Sequence, residues 1–290
     1  MRNLKVVKIG WLRGALLALA LGLGGVTLAD TDVAVAAAPS AVAALSWTTV
    51  NDTVMGGRSD AKLEKGPNGE LVWTGNLSLE NNGGFVSIRS QKARDWSAFD
   101  GVEVAVEGGG HDVQVSLQRT DLWMRAGGYR AMVPTAKKGV TRVVIPFTAF
   151  QLKRFGRSIQ GPPVTTGLKN LGQIGILIAD KRPGPFKVTL SEFKPVKLPK
   201  TAQLAADTKP LLMAAIQKGV PVFNGGDAKG CADIYRDALK AAADKGHLGN
   251  AMAWSHRLAS AALDKAATET PVDAAWTLRR AMDGLLFALR

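Results

Sequence analysis

The chain has 290 residues, 46% hydrophobic and 21% charged, with a formal net charge of +13 and a single cysteine, Cys231. These values exclude wholesale disorder and suit one large domain or two modest ones. One cysteine excludes an intramolecular disulfide framework, and the basic balance falls short of a dedicated nucleic-acid binder.

Residues 1–13 carry Arg2, Lys5, Lys8 and Arg13 and no acid. Gly14–Ala29 carries no charge, is rich in Ala and Leu, and ends on the small residues Thr27 and Ala29. Cationic start, short apolar run and small residues are the layout of a secretory signal. Residues 1–29 are therefore expected to direct export to the periplasm or the exterior, with cleavage after Ala29 or later near Ala38. The alternative is an uncleaved anchor, because Val33–Leu45 is again apolar; that would be the chain's one link to a membrane. Residues 30–44 read as an Ala-rich linker.

From Leu45 to Val196 the period of the pattern is near two. Val102, Val104 and Val106 alternate with Glu103, Ala105 and Glu107; Val113, Val115 and Leu117 alternate with Gln114, Ser116 and Gln118. That is the signature of half-buried strands, and Gly108-Gly109-Gly110-His111-Asp112 between them is turn material, so the two runs are expected to form a hairpin. Further strands are predicted over Leu71–Leu79, Phe85–Arg89, Tyr129–Val133, Thr141–Pro146, Ile174–Ala179 and Phe186–Phe193. About eight short strands without a helical pattern between them predict a mainly β domain over residues 45–196, an antiparallel sandwich or jelly roll.

Within this region lie Trp47-Thr48-Thr49-Val50-Asn51-Asp52-Thr53-Val54-Met55-Gly56-Gly57-Arg58-Ser59, then Trp73-Thr74-Gly75-Asn76-Leu77-Ser78, then Asn82-Gly83-Gly84-Phe85-Val86-Ser87-Ile88-Arg89. Phe99-Asp100-Gly101-Val102, Tyr129-Arg130-Ala131, Val144-Ile145-Pro146-Phe147 and Gly184-Pro185-Phe186 follow in order. This succession resembles the NADH:ubiquinone oxidoreductase complex I intermediate-associated protein 30 family. The resemblance implies a galactose-binding-domain-like sandwich, similar to carbohydrate-binding modules, and a protein-binding role of the assembly or chaperone kind. An exported chain departs from the mitochondrial setting of the complex I assembly chaperone in that family.

The same residues have readings of their own. Asn51 and Asp52 suit a turn capped by side chains, and Asn81-Asn82-Gly83-Gly84 suits a hairpin. Met55 is either a core plug or an exposed apolar contact. Two tight turns locked together is one reading; the other makes Asn51, Asp52, Met55 and Arg89 the rim of a ligand site. Trp123 and Tyr129 flank Arg125 beside Gly127-Gly128, as the aromatic platform of a sugar site would, or as core residues.

No acid occurs between Asp121 and Asp180, a stretch holding Arg125, Arg130, Lys137, Lys138, Arg142, Lys153, Arg154, Arg157 and Lys169. If Lys137, Lys138, Arg142, Lys153, Arg154 and Arg157 cluster, they form a basic patch for an anionic surface, an acidic protein or a polyanionic glycan; dispersed, they are solvated turn and edge residues. The cations and aromatics do not interleave as nucleic-acid stacking requires, so no nucleic-acid partner is expected.

Catalytic patterns are missing. His111, His247 and His256 are scattered, and no metal spacing, nucleophile elbow or phosphate loop occurs, so no enzyme, metal or cofactor is expected. A jelly-roll hydrolase would need two close carboxylates; Glu103 and Glu107 sit about 13 Å apart on one strand.

After a linker at 197–207, the period becomes helical over 208–290. Thr208 is expected to cap a helix ending at Gly219-Val220-Pro221, and Asp227 one that buries Cys231 and stops at Gly246. A third is expected over Leu248–Lys265 and a fourth from Thr270, together a small bundle. The leading expectation is an exported, non-enzymatic protein holding a protein client or an envelope component. The rival is a carbohydrate-binding module of the envelope.

Overall fold

The computed structural model describes residues 41–122, 127–136, 138–200 and 203–289. Ala37–Arg290 forms one compact unit. Its strands are β1 (Thr48–Asn51), β2 (Asp60–Lys65), β3 (Leu71–Leu77), β4 (Val86–Arg94), β5 (Gly101–Glu107) and β6 (Val113–Arg119). They continue as β7 (Gly128–Val133), β8 (Thr141–Pro146), β9 (Gln151–Arg154), β10 (Arg157–Ser158), β11 (Leu171–Ile178) and β12 (Gly184–Val196). Four helices follow: α1 (Thr208–Asn224), α2 (Ala228–Asp244), α3 (Trp254–Ala266) and α4 (Pro271–Ala288).

The strands form two antiparallel sheets. One has seven strands in the order β1-β4-β11-β6-β7-β9-β10, the other five in the order β2-β3-β12-β5-β8, so neither expected hairpin forms: the turns at 108–112 and 81–84 carry the chain from one sheet to the other. The sandwich followed by helices is the predicted fold class. Alternation drives it. Along β6 every odd-numbered residue from Val113 to Arg119 is buried and Gln114, Ser116 and Gln118 face outward. Between the sheets lie Trp73, Ile88, Val104, Val115, Leu117, Ile145, Ile174, Ile176 and Val188, each with no exposed surface. Each such side chain contributes roughly 2 kcal/mol of apolar burial.

The core extends past the predicted boundaries. Val42, in the expected linker, is fully buried and its carbonyl accepts a hydrogen bond from Trp47 Nε1 at 3.0 Å. The helices share one continuous core with the sandwich. The contact is made by β8, an edge strand whose outward Val144 donates its N–H to the Met252 carbonyl at 2.9 Å and bridges Ala253. Trp254 Nε1 donates to the Met132 carbonyl on β7 at 2.8 Å, so one indole is tied to the other sheet as well. This changes the third helix. The expected start at Leu248 gives way to Trp254, because residues 248–253 turn to meet the sheet edge.

The first helix also differs. It does not stop at Gly219 but runs through Pro221 to Asn224. Gly219 is there for contact: a Cβ on it would stand 2.4 Å from the Tyr235 ring of α2. Thr208 does not cap; it is buried and its hydroxyl donates to the His247 carbonyl. Asp227 and Thr270 do cap, accepting from Gly230 N and Asp273 N, and Cys231 is a buried free thiol.

Candidate functional site: the outer face of the seven-stranded sheet

The register of the larger sheet sets the outer face. One rung reads Thr48, Arg89, Gly175, Ser116, Arg130, Gln151 across β1, β4, β11, β6, β7 and β9. The adjoining rung carries Gln91, Gln173 and Gln118, with Lys153 opposite Gly128 at its far end. Alternation places all of these on the solvent side, because their neighbours Ile88, Ile174, Leu117, Tyr129 and Leu152 point into the core.

Small residues form the floor. Gly175 lies between Arg89 and Ser116, and a Cβ there would meet the Ile88 carbonyl at 2.4 Å and the Arg89 side chain at 3.4 Å. A polar hollow of about 60 Å³ results, lined by Ser87, Arg89, Ser116, Gln118, Arg130 and Gln173 among others. Arg89 Nε donates to Ser87 Oγ at 3.0 Å and Gln118 Nε2 to the Gly127 carbonyl at 3.0 Å, which fixes both side chains.

Arg89 and Arg130 line the hollow, and Lys153 stands next to Arg130 just outside its lining. Arg89, Arg130 and Lys153 are half-buried, and among the described residues none pairs with a carboxylate. Burial lowers the pKa of Arg89. Burial and then the charge of Arg89 lower that of Arg130; burial and then the charge of Arg130 lower that of Lys153. Each charge thus disfavours the next, which marks this part of the face as electropositive. The smaller sheet shows the contrast. On its outer face Arg142 pairs with Glu103, and Lys194 lies 3.5 Å from Glu103 and 3.4 Å from Glu192. Those charges cancel locally.

Only some of the expected site residues meet. Arg89 lines the hollow. Asp52 does not: it is 1% exposed, and its carboxylate accepts from Ser59 N, Ser59 Oγ, Gly84 N and Phe85 N. Burial alone would raise its pKa, but these hydrogen bonds outweigh it and the pKa is lowered. Asp52 therefore locks the two glycine turns together, and its carboxylate has no face for a ligand. Asn51 ends β1 with its Oδ1 buried and unpartnered. Met55 is 64% exposed on the turn, outside the residues lining the hollow. Tyr129 points inward, 1% exposed, its hydroxyl donating to the Pro162 carbonyl at 2.7 Å and accepting from Arg119. It is core, not a sugar platform. Trp123 and Arg125 lie outside the described residues.

The expected basic patch divides. Lys153 lies beside the hollow next to Arg130, Arg154 and Arg157 face each other on the β9–β10 hairpin, Lys138 is exposed before β8, and Arg142 sits on the other sheet. Lys137 lies outside the described residues. Arg130, Gln118, Gln173 and Ser116 were within reach of the sequence as the polar phase of their strands. Their meeting depends on β11 inserting between β4 and β6, which no local pattern announces.

A wider dent at the end of the sandwich, lined by Asn76–Glu80, Pro183 and Gly184, is shallow and open. Its one charge, Glu80, is paired with Arg58 at 3.0 Å. Among the described residues no group of three or more metal-ligating side chains occurs.

Among solved structures, the family 11 carbohydrate-binding module of the cellulosomal cellulase Lic26A-Cel5E of Clostridium thermocellum is similar, with 15% identity over 53% of this chain and 89% of that one, at a TM-score of 0.41. The Clostridium thermocellum family 11 module in complex with a β-1,3-1,4-mixed-linked tetrasaccharide gives 16% identity over 52% and 88%, at 0.40. An agarase, AgWH50C, gives 8% identity over 60% and 30%, at 0.38. The family model for complex I intermediate-associated protein 30 matches residues 37–190, more than half of the sequence, and the chain belongs to that family.

Proposed function

We propose that this chain is an exported, non-catalytic binding protein that holds a carboxylate-bearing partner on the outer face of the seven-stranded sheet. The observation that carries the reading is the trio Arg89, Arg130 and Lys153, half-buried, mutually repelling and without a carboxylate among the described residues. Leaving three cations desolvated and unpaired is costly unless something anionic arrives to pair them. Arginine suits this, since its planar fork matches a carboxylate with two parallel hydrogen bonds.

The family's name denotes association with a complex I intermediate, which fits a protein partner, here one presenting an acidic segment. Export is supported by the cationic start and the charge-free run Gly14–Ala29. A non-catalytic role is supported by the make-up of the hollow, whose lining contains neither a carboxylate nor a histidine. A second reading has its own observation. The amide row Gln91, Gln173 and Gln118 offers donors and acceptors suited to hydroxyl groups, which favours an acidic glycan over a neutral one, as no aromatic lines the hollow.

Titration calorimetry with poly-glutamate and with polygalacturonate, on the parent and on R89Q/R130Q, tests both. The parent is expected to bind one of them with an affinity that falls as salt rises, and the variant to lose that binding while melting at an unchanged temperature. Equal binding by parent and variant overturns the site. Preference for polygalacturonate selects the second reading.

A further inference from the structure

The tip of the β9–β10 hairpin lies outside the residues lining the hollow and carries a residue whose conformation is costly for its type. Arg154 pairs with Arg157, so Phe155 and Gly156 make a two-residue loop. Their φ angles are +48° and +77°. Positive φ at both positions is the primed turn that matches strand twist, and it favours Asn or Asp followed by Gly. Gly156 fits. Phe155 does not, because a bulky side chain in the left-handed region is an outlier.

Packing does not compensate. Phe155 is 83% exposed, the highest value of any large hydrophobic residue among those described. The base of the hairpin, by contrast, is pinned: Leu152 is buried, Ile159 N donates to its carbonyl at 3.0 Å, and Ser158 Oγ donates to Gln151 Oε1 at 3.1 Å. A firm base thus presents an aromatic ring in water between two exposed arginines. No acid lies nearby in sequence, as none occurs between Asp121 and Asp180.

We propose that this hairpin is a finger that docks the protein on an anionic lipid surface. The ring enters the boundary between headgroups and acyl chains, and the Arg154 and Arg157 guanidiniums stay at the phosphates. An acidic polymer in water would attract the arginines but leave the ring exposed, so ring and cations together select a lipid surface. One ring and two cations give reversible attachment rather than insertion. The proposal does not depend on what fills the hollow between Arg89 and Arg130.

The test is co-sedimentation of residues 37–290, the compact unit described above, with phosphatidylcholine vesicles with or without phosphatidylglycerol. The parent should bind only the anionic vesicles. F155N should weaken that binding roughly tenfold or more while melting no lower than the parent, because Asn is the better turn residue. R154Q/R157Q should weaken it by a similar factor and remove most of its salt dependence. Absence of binding by the parent, or equal binding by F155N, overturns the proposal; the first result would point to an acidic protein pocket as the occupant.

Discussion

Arg89 and Arg130 stand on one rung of the seven-stranded sheet with only Gly175 and Ser116 between them. Two cations three strand spacings apart would sit about 14 Å from each other at the backbone. Small residues between them let the long side chains lean inward, and the charge of Arg89 is felt at Arg130. Enlarging the floor should therefore act on binding. S116L is expected to leave the core intact, because Ser116 faces outward, and to lower affinity for any anion in the hollow roughly tenfold or more by filling the space between the guanidiniums. Calorimetry with the probe that the parent binds measures it.

Lys153 provides a pH signature for the same site. Its pKa is lowered by burial and by Arg130. The folded protein then releases this proton at a lower pH than the unfolded chain does. Between the lowered value and the ordinary 10.5, the unfolded state binds more protons, so stability rises with pH across that window. K153M should abolish this rise, and R130Q should narrow the window from its lower end. Chemical denaturation at a series of alkaline pH values reads both effects, and identical profiles for parent and K153M would contradict the assignment.

Asp52 should behave as a structural keystone. D52A removes an acceptor that serves four donors and leaves buried N–H groups unpaired, at a cost of roughly 2–4 kcal/mol. D52N should also destabilise, since its amide nitrogen would face the donors of Ser59 or Gly84. The pH dependence has a definite sign. The folded pKa lies below the ordinary 3.8, so the contribution is present above 3.8 and is lost as pH falls through the folded value. Urea melts at neutral and acidic pH, compared between parent and D52N, check it: the difference should shrink in acid.

Strand alternation made the sandwich legible, because a period of two is imposed by the backbone and needs no partner to be visible. Val113–Leu117 is a case where inward and outward residues were assigned from sequence and lie so in the structure, whereas in Val102–Val106 the outward-phase Ala105 is buried as well. The short β9 and β10 were not legible: four residues and two carry too little pattern. Helix ends failed where tertiary contact overrode local chemistry, as at Gly219, whose missing Cβ serves Tyr235 rather than a helix stop. The basic stretch misled for a similar reason. Residues close in sequence, Arg142 and Lys153, belong to different sheets, while Arg89 and Arg130, far apart in sequence, share a rung.

Trp254 should couple the helices to the sandwich. It is 3% exposed, and its indole N–H reaches the Met132 carbonyl on one sheet while the preceding Ala253 bridges Val144 on the other. W254A leaves a large cavity and an unpaired carbonyl, a loss of roughly 3–5 kcal/mol. The parent is expected to unfold in one cooperative transition because its core is continuous. In W254A the helices should unfold first, seen as loss of helical circular dichroism before loss of the buried-tryptophan fluorescence of Trp73. A single transition at lower temperature would mean that the remaining contacts suffice for coupling.

Gly219→Ala sets two effects against each other. Alanine is the better helix residue by about 1 kcal/mol, so at an exposed position in α1 the change would stabilise. At Gly219 the new methyl would stand 2.4 Å from Tyr235 Cε1 and 2.8 Å from Cζ. Tyr235 is 3% exposed between α1 and α2, so its ring cannot swing out into solvent without disturbing the packing. Relief requires α1 and α2 to separate, and overpacking of this kind costs roughly 1–3 kcal/mol. The steric cost should exceed the gain in helix propensity, making G219A destabilising. G219A combined with Y235L, which removes the obstructing ring edge, should recover part of the loss relative to the sum of the single changes. A double-mutant cycle by urea denaturation reads this coupling, and strictly additive effects would show that Gly219 is kept for some reason other than the approach of Tyr235.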